Sequence, residues 1–100
     1  MEFKVNDNGG VREIVTQGSF GFEDNSNIEK LVESLTGDSG KVVMNLAGLS
    51  KIDSAGLGMI ILIKDEVEAA GGKFSVRGAT GQVKKMLDIS RFDQLMTVET

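Results

Sequence analysis

The 100-residue chain contains no histidine and no cysteine, and each absence removes chemistry. Without histidine there is no Ser-His-Asp triad, no imidazole general base and no zinc deaminase or zincin site. Without cysteine there is no thiol catalysis and no iron-sulfur ligation. Neither a disulfide nor a Cys/His structural metal staples the fold, so stability has to come from packing. Tryptophan and tyrosine are missing too, which leaves five phenylalanines as the aromatic residues. The 11 Lys+Arg against 15 Asp+Glu give a formal net charge of −4, and no basic cluster offers the counterion-releasing surface that nucleic acid requires. The longest uninterrupted apolar run, Met59 to Ile63, is far short of the roughly 20 residues of a membrane-spanning helix. The opening MEFKVNDNGG lacks the basic start and apolar stretch of a signal peptide. The expectation is one cytoplasmic domain over residues 1–100, without nucleic acid and without direct membrane insertion, whose partner is a protein or a small ligand.

Periodicity then orders the chain. Phe3 and Val5 alternate with polar neighbours, Asn8-Gly9-Gly10 is a turn signal, and Val11, Ile14 and Val15 follow, which predicts an N-terminal hairpin. Phe20 and Phe22 at period two predict a further short strand or extended loop. Ile28, Leu31, Val32 and Leu35 share a helical face, with Ser26 and Glu29 as a capping box, Asp24 or Asn25 as alternative caps, and Gly37 as the stop. Lys41 to Leu46 reads as a central strand buried on both faces, Ala47 to Asp53 as a loop, and Ala55 to Ala70 as a helix ended by Gly71-Gly72. Phe74 and Val76 alternate as a strand, Thr80 caps a helix carrying Val83, Met86 and Leu87, and Leu95, Met96 and Val98 predict a last strand. The expected fold class is α/β, a single domain with a mixed four- to five-stranded sheet and helices packed against it by right-handed crossovers.

The densest signal is Ile52-Asp53-Ser54-Ala55-Gly56-Leu57-Gly58, where a strand and loop deliver an acid and a hydroxyl to the start of an apolar helix. An anion on Ser54 would lie at the positive helix end. The plain reading is that Asp53 or Ser54 caps the helix, and both roles coexist if Asp53 caps while Ser54 stays exposed. Gly56 and Gly58 cost the helix about 1 kcal/mol each, which close approach of a partner, or of an adjoining backbone, explains. The partner alternative predicts that Gly56→Val harms partner binding more than folding. Among the neighbours, Leu57, Ile60, Ile61 and Ile63 read as core, Met59 as a partly exposed contact, and Lys84 and Lys85 as a solvated helix face. Asp53 has no second carboxylate beside it to make a metal site. A hydrolase nucleophile elbow requires glycine two residues before the serine, where Ile52 stands, and Gly56-Leu57-Gly58 is neither a Walker A loop nor a dinucleotide fingerprint.

The segment Met44-Asn45-Leu46 through Ile52-Asp53-Ser54-Ala55-Gly56-Leu57-Gly58, the helix to Gly71-Gly72, and Val83-Lys84-Lys85-Met86-Leu87-Asp88-Ile89-Ser90 together resemble the STAS family of anti-sigma factor antagonists, along essentially the whole chain. The resemblance implies a non-enzymatic switch without a cofactor or metal of its own. The unphosphorylated antagonist binds an anti-sigma factor that is also a serine kinase, phosphorylation of Ser54 releases it, and a metal-dependent serine phosphatase restores the binding form. It implies a partner-binding set of Asp53, Ser54, Ala55, Gly56, Leu57 and Gly58. The family's partner-contacting aspartate falls at Gly21, which leaves Glu23 or Asp24 as its replacement, and Lys51 stands where the family often has an aromatic or aliphatic residue. The alternatives are a STAS subunit supporting a membrane transporter from the cytoplasmic side, where phosphorylation is incidental, and, ranked below both, a nucleotide-binding domain. The missing acid/base set predicts that purified protein assayed against ester, phosphoester and nucleotide substrates matches buffer; turnover abolished by Ser54→Ala would refute this.

Overall fold

Gly9 and Gly10, both at positive φ (56° and 89°), reverse the chain between β1 (Glu2–Asn8) and β2 (Val11–Phe20). Positive φ at both central positions is what a two-residue hairpin loop demands, and the antiparallel pairing runs from Asn8↔Val11 back to Glu2↔Gln17. The computed structural model describes residues 1–35 and 40–99. After β2 a 3-10 turn, Phe22–Asp24, leads into α1 (Asn25–Leu35); β3 (Lys41–Ile52), α2 (Ser54–Ala69), β4 (Lys73–Arg77), α3 (Gly81–Ile89), the short α4 (Phe92–Leu95) and β5 (Thr97–Glu99) follow. The five strands lie in sequence order, β1-β2-β3-β4-β5, with every pair after the hairpin parallel. The α/β class, the mixed sheet and the central parallel strand are as the sequence predicted.

Register explains the core. Ile14, Met44, Val76 and Val98 stand side by side across four strands, and the first three are fully buried. Val42, Phe74, Ile28, Leu31, Leu35, Ile60, Ile63 and Val67 join the same apolar cluster. Period-two alternation sends the neighbouring residues to the other sheet face, so Glu13, Asn45, Arg77 and Glu99 share it. There Glu13 accepts hydrogen bonds from Arg77 and from Asn45 Nδ2, and Ser75 Oγ donates to Glu99 Oε2 at 2.6 Å. That second face of β3 carries a polar network at Asn45, although Val43 is itself buried.

Several boundaries differ from expectation. The loop expected over Ala47 to Asp53 is strand as far as Ile52. Its apolar residues Leu46, Leu49 and Ile52 are spaced by three, which does not match a regular strand. Two irregularities, where Val15/Gln17 face Asn45/Gly48 and Gly18/Ser19 face Leu49/Lys51, each insert an extra residue into β3 and return the next apolar side chain to the core. Gly48 allows the first: a Cβ there would lie 2.3 Å from the Thr16 carbonyl. No separate strand follows β2, because Phe20 closes it and Phe22 belongs to the 3-10 turn. Ser26 is inside α1, and the bonds before the helix join Gly21 and Asp24 instead: Asp24 N donates to Gly21 O and Gly21 N donates to Asp24 Oδ2. Gly37, expected to stop α1, lies outside the described residues. Thr80 precedes α3 without a side-chain capping bond, and of the residues expected in the last strand Leu95 belongs to α4, Met96 is its C-cap, and Val98 alone lies in β5.

The Arg77 guanidinium, then the Asn45 amide, hold the Glu13 carboxyl below its ordinary value of 4.5, and the Ser75 hydroxyl, aided by Lys41, does the same for Glu99. A carboxyl whose folded pKa is depressed stabilises the fold above its unfolded value, and that contribution is lost as pH falls through the folded pKa. Thermal unfolding between about pH 5 and about pH 3 should therefore show a decline in Tm that is shallower in Glu13→Gln/Glu99→Gln; identical slopes would exclude these two groups as the cause.

Candidate functional site

The motif begins where β2 and β3 end together, at the pair Phe20↔Ile52. Asp53 N donates to Phe20 O at 3.2 Å, carrying the ladder one residue past the strand. Asp53 then caps α2: its extended backbone (φ −109°, ψ −178°) aims the carboxylate back at the helix, and Oδ1 accepts from Gly56 N at 2.9 Å. Leu57 N donates to the Asp53 carbonyl at 3.0 Å. Capping and display are thus divided between neighbours, with Asp53 as cap and Ser54 as the exposed first residue of a 16-residue helix. Among the described residues the Ser54 hydroxyl has no protein partner, and it stands at the positive helix end, where the first amides of a helix lack intrahelical acceptors.

Glycines 56 and 58 separate sharply. A Cβ on Gly56 would lie 2.6 Å from Phe20 O and 2.7 Å from Ile52 Cγ1, whereas nothing lies within 4 Å of one on Gly58. Gly56 is buried and Gly58 exposed. The reason for glycine at position 56 is therefore the adjoining backbone, and the expectation that Gly56→Val acts mainly on a partner is corrected. Leu57 is also withdrawn from the surface, at 7% exposure, and Met59, expected to be partly exposed, is buried at 8%. One face of α2 stays open through Ser54, Gly58 and Leu62 at i, i+4 and i+8, with Ala55 partly buried beside it.

The 3-10 turn packs against α2 and places its two acids differently. Asp24 is 3% exposed; its Oδ1 accepts from the Met1 amino group at 2.6 Å and its Oδ2 from Gly21 N at 2.9 Å. With both oxygens engaged internally, Asp24 is corrected from a surface contact to an internal cap. Glu23 is exposed, and its Oε2 borders the space that a side chain on Gly21 would take, together with Asp53 Oδ2. Two carboxylates thus flank the space left by the missing side chain at position 21.

Three features were not read as site residues from the sequence. Phe22 is 73% exposed and Leu62 43%, although apolar residues in such patterns are ordinarily assigned to the core. The third is Gln82, whose carboxamide bonds both backbone groups of Ile52. Nothing local marks any of the three. Among the described residues no group of three or more His, Cys, Asp or Glu side chains is placed to hold a metal ion, and no helix is long and apolar enough to cross a membrane.

Residues 2–100 match the STAS domain model, so the chain belongs to the STAS domain family. It is 28% identical over 85 residues to a STAS-domain containing protein of Pseudomonas aeruginosa (strain UCBPP-PA14), covering 85% of this chain and 84% of the relative. Among solved structures, the Thermotoga maritima protein TM1081 superimposes with a TM-score of 0.83 at 22% identity, over 98% of this chain and 86% of that one. The anti-sigma factor antagonist SpoIIAA in its unphosphorylated form gives 0.75 at 18% identity, over 99% and 88%, and SpoIIAA is a Bacillus protein.

The packing at the two glycines predicts opposite outcomes for one substitution. Gly56→Ala should destabilise by about 1–3 kcal/mol through overpacking, and Gly58→Ala should stabilise by about 0.5–1 kcal/mol by removing helix-interior glycine. Urea unfolding of the pair checks this, and effects of the same sign would refute the assignment of Gly56 to internal packing.

Proposed function

We propose that the domain is an anti-sigma factor antagonist in a partner-switching pathway in the cytoplasm: it binds an anti-sigma factor with serine kinase activity while Ser54 carries a free hydroxyl, and is released when Ser54 is phosphorylated. A metal-dependent serine phosphatase resets it, and ATP and magnesium belong to the kinase. The observation that carries this reading is the separation of Asp53 from Ser54. Because Asp53 alone caps α2, the Ser54 hydroxyl is available to an incoming phosphoryl donor without loss of the cap.

The two forms then differ at the surface and hardly in the fold. A phosphate on Ser54 adds about −1.5 to −2 charges next to the free amides of the helix start, so the domain itself accommodates the anion. A partner fitted to a neutral hydroxyl at the residue after Asp53 instead meets added negative charge and bulk. The surface offered to that partner is the Ser54-Gly58-Leu62 face with Ala55, Phe22 and Glu23 beside it. SpoIIAA, solved in a phosphorylated form as well and similar in fold at a TM-score of 0.66, supports reading the family as one with two such states. The fold also occurs in a sulfate transporter family protein from Wolinella succinogenes, with a TM-score of 0.77, which supports transporter support as the second reading.

Titration calorimetry against the kinase partner distinguishes them. Ser54→Ala should bind like the unmodified protein and stay bound when ATP is supplied, with stability within about 0.5 kcal/mol of wild type. Phosphorylated protein should bind roughly a hundredfold more weakly, about 2.7 kcal/mol, and Ser54→Asp should fall between. Equal affinity of phosphorylated and unphosphorylated protein would remove the switch, and absence of Ser54 phosphorylation beside an active cognate kinase would favour transporter support.

A further inference from the structure

β3 outruns its neighbour. β4 pairs with it only from Lys41 to Asn45, while β2 follows it to Ile52. On the β4 side the second half of β3 is thus a strand edge without a strand beside it, ending one residue before the helix cap. At that end the Gln82 side chain stands in for the missing strand. Ile52 N donates to Gln82 Oε1 at 2.9 Å, and Gln82 Nε2 donates to Ile52 O at 2.9 Å. A carboxamide offers the same donor and acceptor as a peptide group, so the pair reproduces what an antiparallel neighbour makes with one residue.

We infer that Gln82 is the positioning residue of the Ser54 switch: from the first turn of α3 it clamps the Ile52 backbone and so fixes the strand end from which Asp53 and Ser54 project. The inference rests on Ser54 being the switch residue. Gln82 acts through the backbone. With the Asp53 N bond to Phe20 O on the β2 side, the clamp closes the β4 side, and the strand end is held along both edges. Without it, Ile52 retains its apolar packing but loses two directional bonds, and the cap geometry at Gly56 inherits that freedom. The role requires an acceptor and a donor side by side, which at neutral pH a carboxamide supplies and a carboxylate does not.

The experiment uses isotopically labelled wild type, Gln82→Ala and Gln82→Glu without a partner, and follows amide hydrogen exchange by NMR after correction for intrinsic rates. In Gln82→Ala the Ile52 amide should exchange about tenfold faster, the Gly56 amide should follow, and the Ser54 amide resonance should broaden, while Val42 and Met44 keep wild-type protection. Gln82→Glu retains an acceptor for Ile52 N–H but turns an anionic oxygen toward Ile52 O. Acidification through the carboxyl range near about 4.3 converts that oxygen into a donor, so protection at Ile52 should recover in this variant and not in Gln82→Ala. A residue that merely stabilised α3 would not produce that pH profile. Wild-type exchange at Ile52 in Gln82→Ala, acceleration extending equally to Val42 and Met44, or a flat profile for Gln82→Glu would each overturn the assignment. The two readings fail separately: equal partner affinity for phosphorylated and unphosphorylated protein removes the switch, whereas unchanged exchange removes the clamp.

Discussion

The start of α2 approaches the ends of β2 and β3 so closely that position 56 has no room for a side chain. A Cβ at that position would run into the Phe20 carbonyl and the Ile52 side chain, and that carbonyl is already the acceptor for Asp53 N. Moving any one of the three segments disturbs the others. From this contact follow the direction in which α2 leaves the sheet, the turn of the Asp53 carboxylate onto Gly56 N, and the exposure of Ser54. A side chain at position 21 would meet a similar obstruction, since its Cβ would fall 2.7 Å from Asp53 Oδ2. Close packing is thus what presents the hydroxyl, with little left to local flexibility.

Charge around the site is arranged in two layers with different duties. Asp24 accepts from the Met1 amino group and the Gly21 amide, and Asp53 Oδ1 accepts from the Gly56 amide, holding the turn and the helix in place. Glu23 Oε2 and Asp53 Oδ2 instead crowd the position that a Cβ on Gly21 would take. Lys51 is exposed on the strand leading into the motif.

How far local pattern could be followed is clearest along β3. Lys41 to Leu46 is legible because a β-branched, continuous apolar run fits a strand in a parallel sheet. Leu46, Leu49 and Ile52 are not, because a period of three belongs to no regular element, and only pairing with β2 accommodates it through two extra residues. Phe22 shows the same limit from the other direction. Its spacing from Phe20 matches a strand, yet the hydrogen bond from Asp24 N to Gly21 O, 3.0 Å long, turns the chain there and leaves the ring in solvent.

Composition and local pattern by themselves determined which chemistries are impossible, the hairpin, the amphipathic α1, the central strand and the Asp53-Ser54 motif at a helix start, because each depends on residues within a turn or two of one another. Tertiary structure alone decided which of two neighbouring glycines is buried, which of two adjacent acids faces solvent, and that a glutamine 30 residues downstream bonds Ile52. The physical reason is that exposure and hydrogen-bond partnership belong to pairs of segments brought together by the sheet. Gly56 and Gly58 differ by two positions on one helix, and only the carbonyl of Phe20, 36 residues earlier in the chain, makes one of them indispensable to packing and leaves the other free.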